Sequence, residues 1–216
     1  MGARAILWDI DGTLVLSEPF HFRGLRGVTA EYGIELPDSF HEEMVGRTAE
    51  ETFILICERY GLEESFARWV AKKYRRYVEM APGIPAREGA LEAFHALREA
   101  HVPQALVSNS DRIVVEANIR AMGLLQPRLV SVTINDVRKG KPDPESYLRA
   151  AHLLGVAPED CVVIEDSPTG ARAGVNAGMR VLAWPELEGL EFPEGATVVE
   201  GEIGAALLSL ALPHVR

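Results

Sequence analysis

Cysteine is scarce in this sequence, and its two copies lie far apart. Cys57 and Cys161 both sit in apolar segments, without a Cys-x-x-Cys pair and without a Cys/His cluster. A disulfide framework and a structural zinc site both need cysteines at closer, repeated spacing, so neither is predicted. We expect two buried free thiols in a protein that works in a reducing compartment.

Positive charge is also in deficit. The chain carries 22 Lys and Arg against 32 Asp and Glu, which gives a net charge of −10 at pH 7. This balance argues against nucleic-acid backbones and anionic membranes as main partners. An anionic substrate would therefore have to be met by a few local positive groups.

Long hydrophobic runs are missing as well. A membrane-spanning helix needs about 20 apolar residues, and even the run at 203–212 is much shorter. Asp9 and Asp11 interrupt the N-terminal apolar stretch, so it does not resemble the core of a signal peptide. With 47% hydrophobic and 25% charged residues, the composition is that of a folded globular protein, and we expect it in the cytoplasm.

The strongest local signal lies in residues 5–14, Ala-Ile-Leu-Trp-Asp-Ile-Asp-Gly-Thr-Leu. The apolar run at 5–8 predicts a buried strand of a parallel sheet. Side chains two apart along an extended segment point to the same side, so Asp9 and Asp11 are expected to face one space beyond the strand. Gly12 permits the sharp turn that follows.

Two carboxylates at that spacing have a limited set of explanations. Like charges held close together call for a divalent cation or a shared proton, and a site made only of oxygen ligands favours Mg²⁺. An EF-hand calcium loop does not fit, because Phe20 stands where the bidentate Glu is needed. A plain acidic turn is the remaining alternative.

The pattern of the rest of the chain changes once, near residue 85. Residues 20–80 are helical in pattern throughout, and beyond the Pro-Gly-Ile-Pro segment at 82–85 short apolar strands alternate with helices. The predicted helices cover residues 20–32, 38–46, 48–60, 63 or 64 to 80, 86–101, 111–122, 144–154 and 169–177. The predicted strands cover 5–8, 104–108, 129–133, 161–165 and 180–184.

This alternation predicts an α/β fold with a Rossmann-like parallel sheet and helices on both of its faces. The strand at 5–8 belongs to that sheet, so the helical segment is an insertion. We expect a core made of residues 1–16 and 85–216 and an inserted α-helical cap bundle at 17–84.

Polar residues follow three of the predicted strands, where ligands bind in open α/β sheets. Ser108 and Asn109 follow the strand at 104–108 and open a helix, an arrangement that can hold a phosphate oxygen, while Ser110 and Asp111 fit ordinary helix caps. These caps are the simpler explanation for the last two residues.

The other two strand ends carry a lysine and an acidic pair. Pro142 confines Lys141 to extended conformations, so its ammonium can be aimed inward, whereas Arg138 and Lys139 fit an exposed basic turn. After the strand at 161–165 come Glu165 and Asp166, which would complete a metal's oxygen shell, although Asp166 also fits a plain helix cap.

These motifs in this order closely resemble those of the haloacid dehalogenase superfamily. The sequence has Asp-x-Asp-Gly-Thr at 9–13, a strand-terminal Ser108, Lys141-Pro142, and Glu-Asp-Ser at 165–167. The chain is most similar to the β-phosphoglucomutase and sugar-phosphate phosphatase branch, whose α-helical cap occupies the position of the insertion. The resemblance covers nearly the whole chain.

The resemblance implies a Mg²⁺-dependent phosphatase that forms an aspartyl-phosphate. Asp9 would be the nucleophile, Asp11 the general acid and base, and Lys141 the residue that neutralises charge. Mg²⁺ would be held by Asp9, the backbone carbonyl of Asp11, and Asp166, with Glu165 a direct or water-mediated ligand.

The expected substrate is a small phosphorylated metabolite such as a sugar phosphate or a phosphoglycolate-like ester. Ser108 and Asn109 would bind its phosphate, and His21, Arg47 and the pair Lys72-Lys73 are candidates in the cap. For each of these cap residues a surface or structural role is an equal alternative. The protein is expected to be a monomer or a weak homodimer, with no nucleic-acid or membrane partner.

Two other functions remain open at this point. A mutase of the β-phosphoglucomutase type would use the same core, but Leu16 stands where that branch often has Asp. The mutases also have a cap Arg that binds phosphate, and when the sequences are aligned through Gly46 this chain has Ala49 at that position. A non-catalytic phosphometabolite-binding protein would not need both Asp9 and Asp11. Phosphatase activity is therefore the favoured prediction.

Overall fold

The structure is a computed structural model that describes residues 4–44 and 47–209. The chain divides into two compact units, one made of residues 1–16 and 84–216 and the other of residues 17–83. This division lies within one residue of the predicted boundaries, and the roles of catalytic core and cap for the two units stay predictions. Gly46, the predicted end of a cap helix, lies outside the described residues.

The first unit is built on one parallel sheet. Within the described residues its strands are β1 (Ala5–Trp8), β2 (Gln104–Val107), β3 (Val130–Val132), β4 (Cys161–Glu165), β5 (Arg180–Ala183) and β6 (Ala196–Val198). Their order across the sheet is β3-β2-β1-β4-β5-β6, with every neighbouring pair parallel. β1 is therefore central, and its residues are fully buried, as its uninterrupted apolar run predicts.

Helices follow the strands in alternation, which confirms the predicted α/β fold class. They are α5 (Ala90–Glu99), α6 (Arg112–Ala121), α7 (Glu145–Leu154), α8 (Pro168–Asn176) and α9 (Ile203–Ser209). A hydrophobic core packs β-strand residues such as Leu7 and Val163 against Tyr147 of α7 and Ala173 of α8. Buried alanines on α7 and α8 let these helices approach the sheet closely.

The start of α5 differs from the prediction, which placed it at residue 86. Ala86 instead pairs with Val15 in an antiparallel bridge, and the Arg87 N–H donates to the Leu14 carbonyl at 2.9 Å. The Leu16 N–H donates to the Pro85 carbonyl at 3.0 Å. The two connections to the inserted unit are thus joined side by side, and residues 84–87 are not helical.

The second unit is helical within its described residues. Its helices are α1 (Glu18–Ala30), α2 (Phe40–Met44), α3 (Ala49–Tyr60) and α4 (Phe66–Met80). α3 begins with the predicted capping box between Thr48 and Glu51 and ends at Gly61, which has a left-handed backbone. This unit has its own hydrophobic core, in which Phe53 and Trp69 pack with ring centroids 5.2 Å apart.

Several predicted details of the chain were wrong. α4 begins two or three residues later than the predicted start at Glu63 or Glu64, because Ser65 is extended and its N–H donates to the Glu64 carboxylate. Strand β6 and helix α9 were not predicted. Cys161 is buried, but Cys57 is only partly buried, although both are free thiols.

None of the helices in the described ranges combines the length and the apolar character that a membrane span requires.

Candidate active site

The central strands of the sheet bring the predicted site residues of the first unit to one edge. Asp9 follows β1, Ser108 follows β2, and Glu165 ends β4, and these three strands are immediate neighbours. Backbone hydrogen bonds fix the ends: the Asp9 N–H donates to the Ile164 carbonyl and the Ser108 N–H to the Val132 carbonyl, both at 3.0 Å. The parallel register therefore places side chains that are distant in sequence around one space.

Lys141 is buried and joins two of these carboxylates. Its ammonium Nζ donates to Asp9 Oδ1 and to Glu165 Oε1, each at 2.6 Å, and to the Val107 carbonyl at 2.9 Å. Burial lowers the pKa of this lysine, but the charges of Asp9 and Glu165 raise it more, so the net pKa is above its usual value. The ammonium stays charged and is directed inward, where Lys141 was predicted to point.

Glu165 is fully buried and accepts several hydrogen bonds from protein groups. Besides Lys141, its Oε1 accepts the Tyr147 hydroxyl at 2.7 Å, and its Oε2 accepts the Ser167 hydroxyl at 3.1 Å. Both oxygens therefore have protein donors. The sequence prediction did not identify Tyr147, because an aromatic residue on a helix face looks like ordinary core.

Three carboxylates converge on one position beside β1. Oxygens of Asp9, Glu165 and Asp166 all lie within 4.8 Å of one another. Burial raises the pKa of Asp9, the charges of Glu165 and Asp11 raise it further, and Lys141 lowers it, so that it lies at about 8 instead of 3.8. Burial and the charges of Asp9 and Glu165 also raise the pKa of Asp166 well above its usual range.

The second oxygen of Asp9 shows that the protein groups around this cluster do not satisfy all of its buried carboxylate oxygens. Asp9 Oδ2 is buried and accepts no hydrogen bond from any residue in the described ranges. A buried, unsatisfied carboxylate oxygen is costly, and a bound cation would remove that cost. The residues present therefore fit an oxygen-ligated divalent cation.

Gly12 shapes the turn beside this cluster. Its φ of +85° is the left-handed region that favours glycine. A Cβ at this position would lie 2.2 Å from Asp166 Oδ2, which no real contact permits. The Thr13 hydroxyl donates to Asp166 Oδ1 at 3.4 Å, so the turn and the acidic side chain fit together closely.

The Asp11 carboxylate contacts a different set of groups from those around Asp9. Its Oδ2 accepts the hydroxyls of Ser108 at 3.0 Å and Ser110 at 2.9 Å, and its Oδ1 accepts the Asn118 side-chain amide at 3.2 Å. The interpretation of Ser110 as a plain helix cap was incomplete, because its side chain bonds Asp11. Asn118, on the buried face of α6, was not identified from the sequence.

Asn109 contacts the backbone of Lys141. Its Oδ1 accepts the Lys141 N–H at 2.8 Å, and its Nδ2 donates to the Lys141 carbonyl at 3.1 Å. This pair of bonds holds the lysine's backbone in place, a role that the sequence did not suggest. Its predicted contact with a phosphate stays a prediction.

The cap candidates lie in the second unit and have partners there. His21 stacks on Tyr77 with ring centroids 4.3 Å apart, and Arg47 Nε donates to the Glu43 carbonyl at 2.7 Å. Lys72 forms an ion pair with Glu31 at 2.8 Å, and Lys73 is buried. Their proposed contacts with substrate stay predictions.

Arg87 is a further residue near the turn that sequence reasoning missed. Its guanidinium donates to the carbonyls of Gly12 at 2.9 Å, Trp184 at 2.7 Å and Pro185 at 2.7 Å, and it lies over the Trp184 ring at 3.6 Å. It thereby links the turn after Asp11 to the segment after β5. No local pattern marks it, since its partners are backbone atoms of distant segments.

Comparison with known proteins gives a consistent result. Residues 3–178 match the family model of the haloacid dehalogenase-like hydrolases. A validoxylamine A 7'-phosphate phosphatase of Streptomyces hygroscopicus subsp. limoneus is 32% identical over 82% of this chain and 83% of its own length. Hexitol phosphatase A of Escherichia coli is 33% identical over 85% of this chain and 83% of its own length.

A solved structure agrees with these relatives. CbbY from Rhodobacter sphaeroides in complex with phosphate superposes with a TM-score of 0.83 at 26% identity, covering 94% of this chain and 95% of that one. The resemblance found in the sequence motifs is therefore confirmed across most of the chain. The protein belongs to the haloacid dehalogenase-like hydrolases.

Proposed function

We propose that this protein is a Mg²⁺-dependent phosphatase that hydrolyses a small phosphorylated metabolite through an aspartyl-phosphate intermediate. The observation that carries the proposal is the state of Asp9, whose carboxylate lies in a cluster with those of Glu165 and Asp166. Lys141 holds one Asp9 oxygen, and the other is buried without a donor from the described chain. A carboxylate can attack a phosphate only when surrounding charge is neutralised.

The residues that would hold the cation are Asp9, the backbone carbonyl of Asp11, and Asp166. Glu165 lies in the same cluster, but its oxygens already accept Lys141, Tyr147 and Ser167, so we assign it to anchoring Lys141 and at most to a water-mediated contact. When bound, Mg²⁺ would supply positive charge beside the phosphate and favour the ionised form of Asp9.

In the first half-reaction the Asp9 carboxylate attacks phosphorus. A new bond forms between an Asp9 oxygen and phosphorus while the bond from phosphorus to the ester oxygen breaks, and Asp11 gives its proton to that departing oxygen. Lys141 keeps Asp9 in position and offsets part of the negative charge. The Ser108 hydroxyl is suited to donate to a phosphate oxygen.

In the second half-reaction water replaces the alcohol. Asp11, now a carboxylate, takes a proton from the attacking water, whose oxygen bonds to phosphorus as the Asp9–phosphate bond breaks. Inorganic phosphate leaves, and Asp9 and Asp11 return to their starting states. The same two aspartates thus serve both steps.

The substrate class is inferred from the relatives. Two of them are named as phosphatases, for hexitol and for validoxylamine A 7'-phosphate, and both cover more than four fifths of this chain. We therefore propose a phosphorylated sugar, sugar alcohol or similarly small hydroxylated compound. His21 and Arg47 of the inserted unit remain our candidates for contacts with its leaving group.

The test is a phosphate-release screen over sugar phosphates, hexitol phosphates, phosphoglycolate and nucleotides, with Mg²⁺ present or chelated. We expect Mg²⁺-dependent release that Asp9→Asn abolishes. Asp143→Asn is a matched control, because it changes an acidic residue of a turn in the same unit that the mechanism does not use. Equal activity in wild type and Asp9→Asn would contradict the proposal.

Product analysis separates hydrolysis from phosphoryl transfer to a sugar. With a hexose 1-phosphate as substrate, a phosphatase releases inorganic phosphate, whereas a mutase produces the hexose 6-phosphate. Binding without any turnover, unchanged in Asp9→Asn, would support a non-catalytic metabolite-binding protein instead.

A further inference from the structure

Asn118 is a polar side chain in an unusual place. It lies in the interior of α6 and is fully buried, although asparagine is a poor former of helix interiors. A buried amide is unfavourable unless it is hydrogen-bonded. Its Nδ2 donates to Asp11 Oδ1 at 3.2 Å, across 107 positions of sequence.

The other Asp11 oxygen accepts hydrogen bonds from two hydroxyls, and one of these hydroxyls is also proposed to bind the substrate phosphate. Ser108 and Ser110 both donate to Asp11 Oδ2, and the Ser108 oxygen also accepts the Ser110 N–H at 2.9 Å. A serine hydroxyl has one proton to give. When Ser108 donates to a phosphate oxygen, as proposed above, it can no longer donate to Asp11.

We propose that Ser110 and Asn118 are positioning residues that hold Asp11 for proton transfer to the leaving group. This inference rests on the proposed phosphatase function. The two residues belong to the segment that runs from the end of β2 through α6, and they bond different oxygens of the carboxyl group. They therefore fix its rotation even after Ser108 turns to the substrate.

The two donors differ in what they allow the oxygens of Asp11 to do. An amide NH₂ can only donate, so Asp11 Oδ1 must remain an acceptor while Asn118 is bound to it. A hydroxyl can donate or accept, so Ser110 suits Oδ2 whether or not that oxygen carries a proton.

The experiment measures kcat/KM for phosphate esters whose leaving groups differ in their need for a proton. Para-nitrophenyl phosphate releases a stable anion, whereas glycerol phosphate releases an alkoxide that must be protonated. General acid–base catalysis contributes about 10²–10⁴-fold; on that scale we expect Asn118→Leu to lose about tenfold or more with glycerol phosphate and less than about threefold with para-nitrophenyl phosphate.

Two controls separate positioning from structural damage. Asn176→Leu makes the same change at an exposed amide of the same unit, which donates to the Pro142 carbonyl, and should leave both rates unchanged. Ser110→Ala should repeat the selective loss, and Ser110→Thr, which keeps the hydroxyl, should restore it. If Asn118→Leu does not fold, the comparison of Ser110→Ala with Ser110→Thr still tests the proposal.

The outcomes distinguish this inference from the function on which it rests. Equal losses with both esters in Asn118→Leu and Ser110→Ala would assign these residues a structural role and overturn the inference alone. A wild-type protein without Asp9-dependent phosphate release would overturn the proposed function and this inference with it. Asp11→Asn serves as the reference, with the same selectivity and a larger loss.

Discussion

Lys141 holds two buried carboxylates that would otherwise repel each other. It is 8% exposed, and its ammonium lies 2.6 Å from both Asp9 and Glu165. Removing one partner of a buried charge network leaves the others uncompensated, which is costlier than removing the network as a whole. The residue therefore contributes to stability as well as to the proposed chemistry.

We expect Lys141→Met to lower the free energy of unfolding by about 3–5 kcal/mol at neutral pH. The double variant Lys141→Met/Glu165→Gln should recover part of this loss, because it removes the Glu165 charge that Lys141→Met leaves without a partner. Urea denaturation of the wild type, both single variants and the double variant measures the coupling. Strictly additive effects would contradict this account.

At the residue scale, the sequence predicted those site residues that a local pattern marks. Asp9 and Asp11 follow an apolar run at a spacing of two, and Lys141 precedes a proline, so both signals lie within a few residues. Asn118 and Arg87 were missed because their partners are distant in sequence and lie on faces that only the folded chain defines.

Among the elements, α8 packs so close to the sheet that a side chain at Gly174 would clash with the strands. A Cβ there would lie 2.7 Å from Val181 Cγ2 and 3.2 Å from Val163 Cβ, atoms of β5 and β4. The helix begins two residues after Asp166, so its distance from the sheet affects where Glu165 and Asp166 are held.

Gly174→Ala should therefore destabilise the protein by about 1–3 kcal/mol through overpacking. The matched variant Gly204→Ala lies in α9, where a Cβ meets no atom of the described chain within 4 Å. There the gain in helix propensity should raise stability by up to about 1 kcal/mol. Thermal unfolding of both variants should show a loss of stability for Gly174→Ala and a gain for Gly204→Ala. A stabilised Gly174→Ala variant would show that the helix can move away from the sheet.

The strength of the local sequence pattern determined which elements could be predicted. β1 is an uninterrupted apolar run, β4 is an apolar run that ends in Glu165, and both were placed at their observed bounds. The capping box fixed the start of α3. β6, with three residues at the sheet edge, is too short to show a pattern. The start of α5 was misplaced because residues 86 and 87 have good helical neighbours but pair with the strand-like segment at 14–16.

For the molecule as a whole, the acidic cluster couples stability to pH and to metal. Burial is the main cause that raises the pKa of Asp9 to about 8 in the folded chain, against 3.8 as its ordinary value. Between these two values the folded state binds a proton that the unfolded state has lost. The contribution of Asp9 to stability therefore falls as pH rises through this window.

We expect Mg²⁺ to raise the melting temperature, and to raise it more at about pH 8 than at about pH 6, because it binds the folded state with Asp9 ionised. Differential scanning fluorimetry at both pH values, with Mg²⁺ or a chelator, measures the shift. Asp166→Asn should abolish most of it. A shift that is equal at both pH values, or that survives in Asp9→Asn, would contradict the assignment.

The paired connections at 14–16 and 85–87 have a consequence for how this molecule can change. Because the Leu16 N–H meets the Pro85 carbonyl and Arg87 meets Leu14, the point where the chain leaves the sheet unit and the point where it returns are adjacent. We therefore expect that a helical module of different length, inserted between these two segments, would leave the strands of the sheet in place. Evolution or a protein engineer could thus replace the module while the aspartates keep their positions.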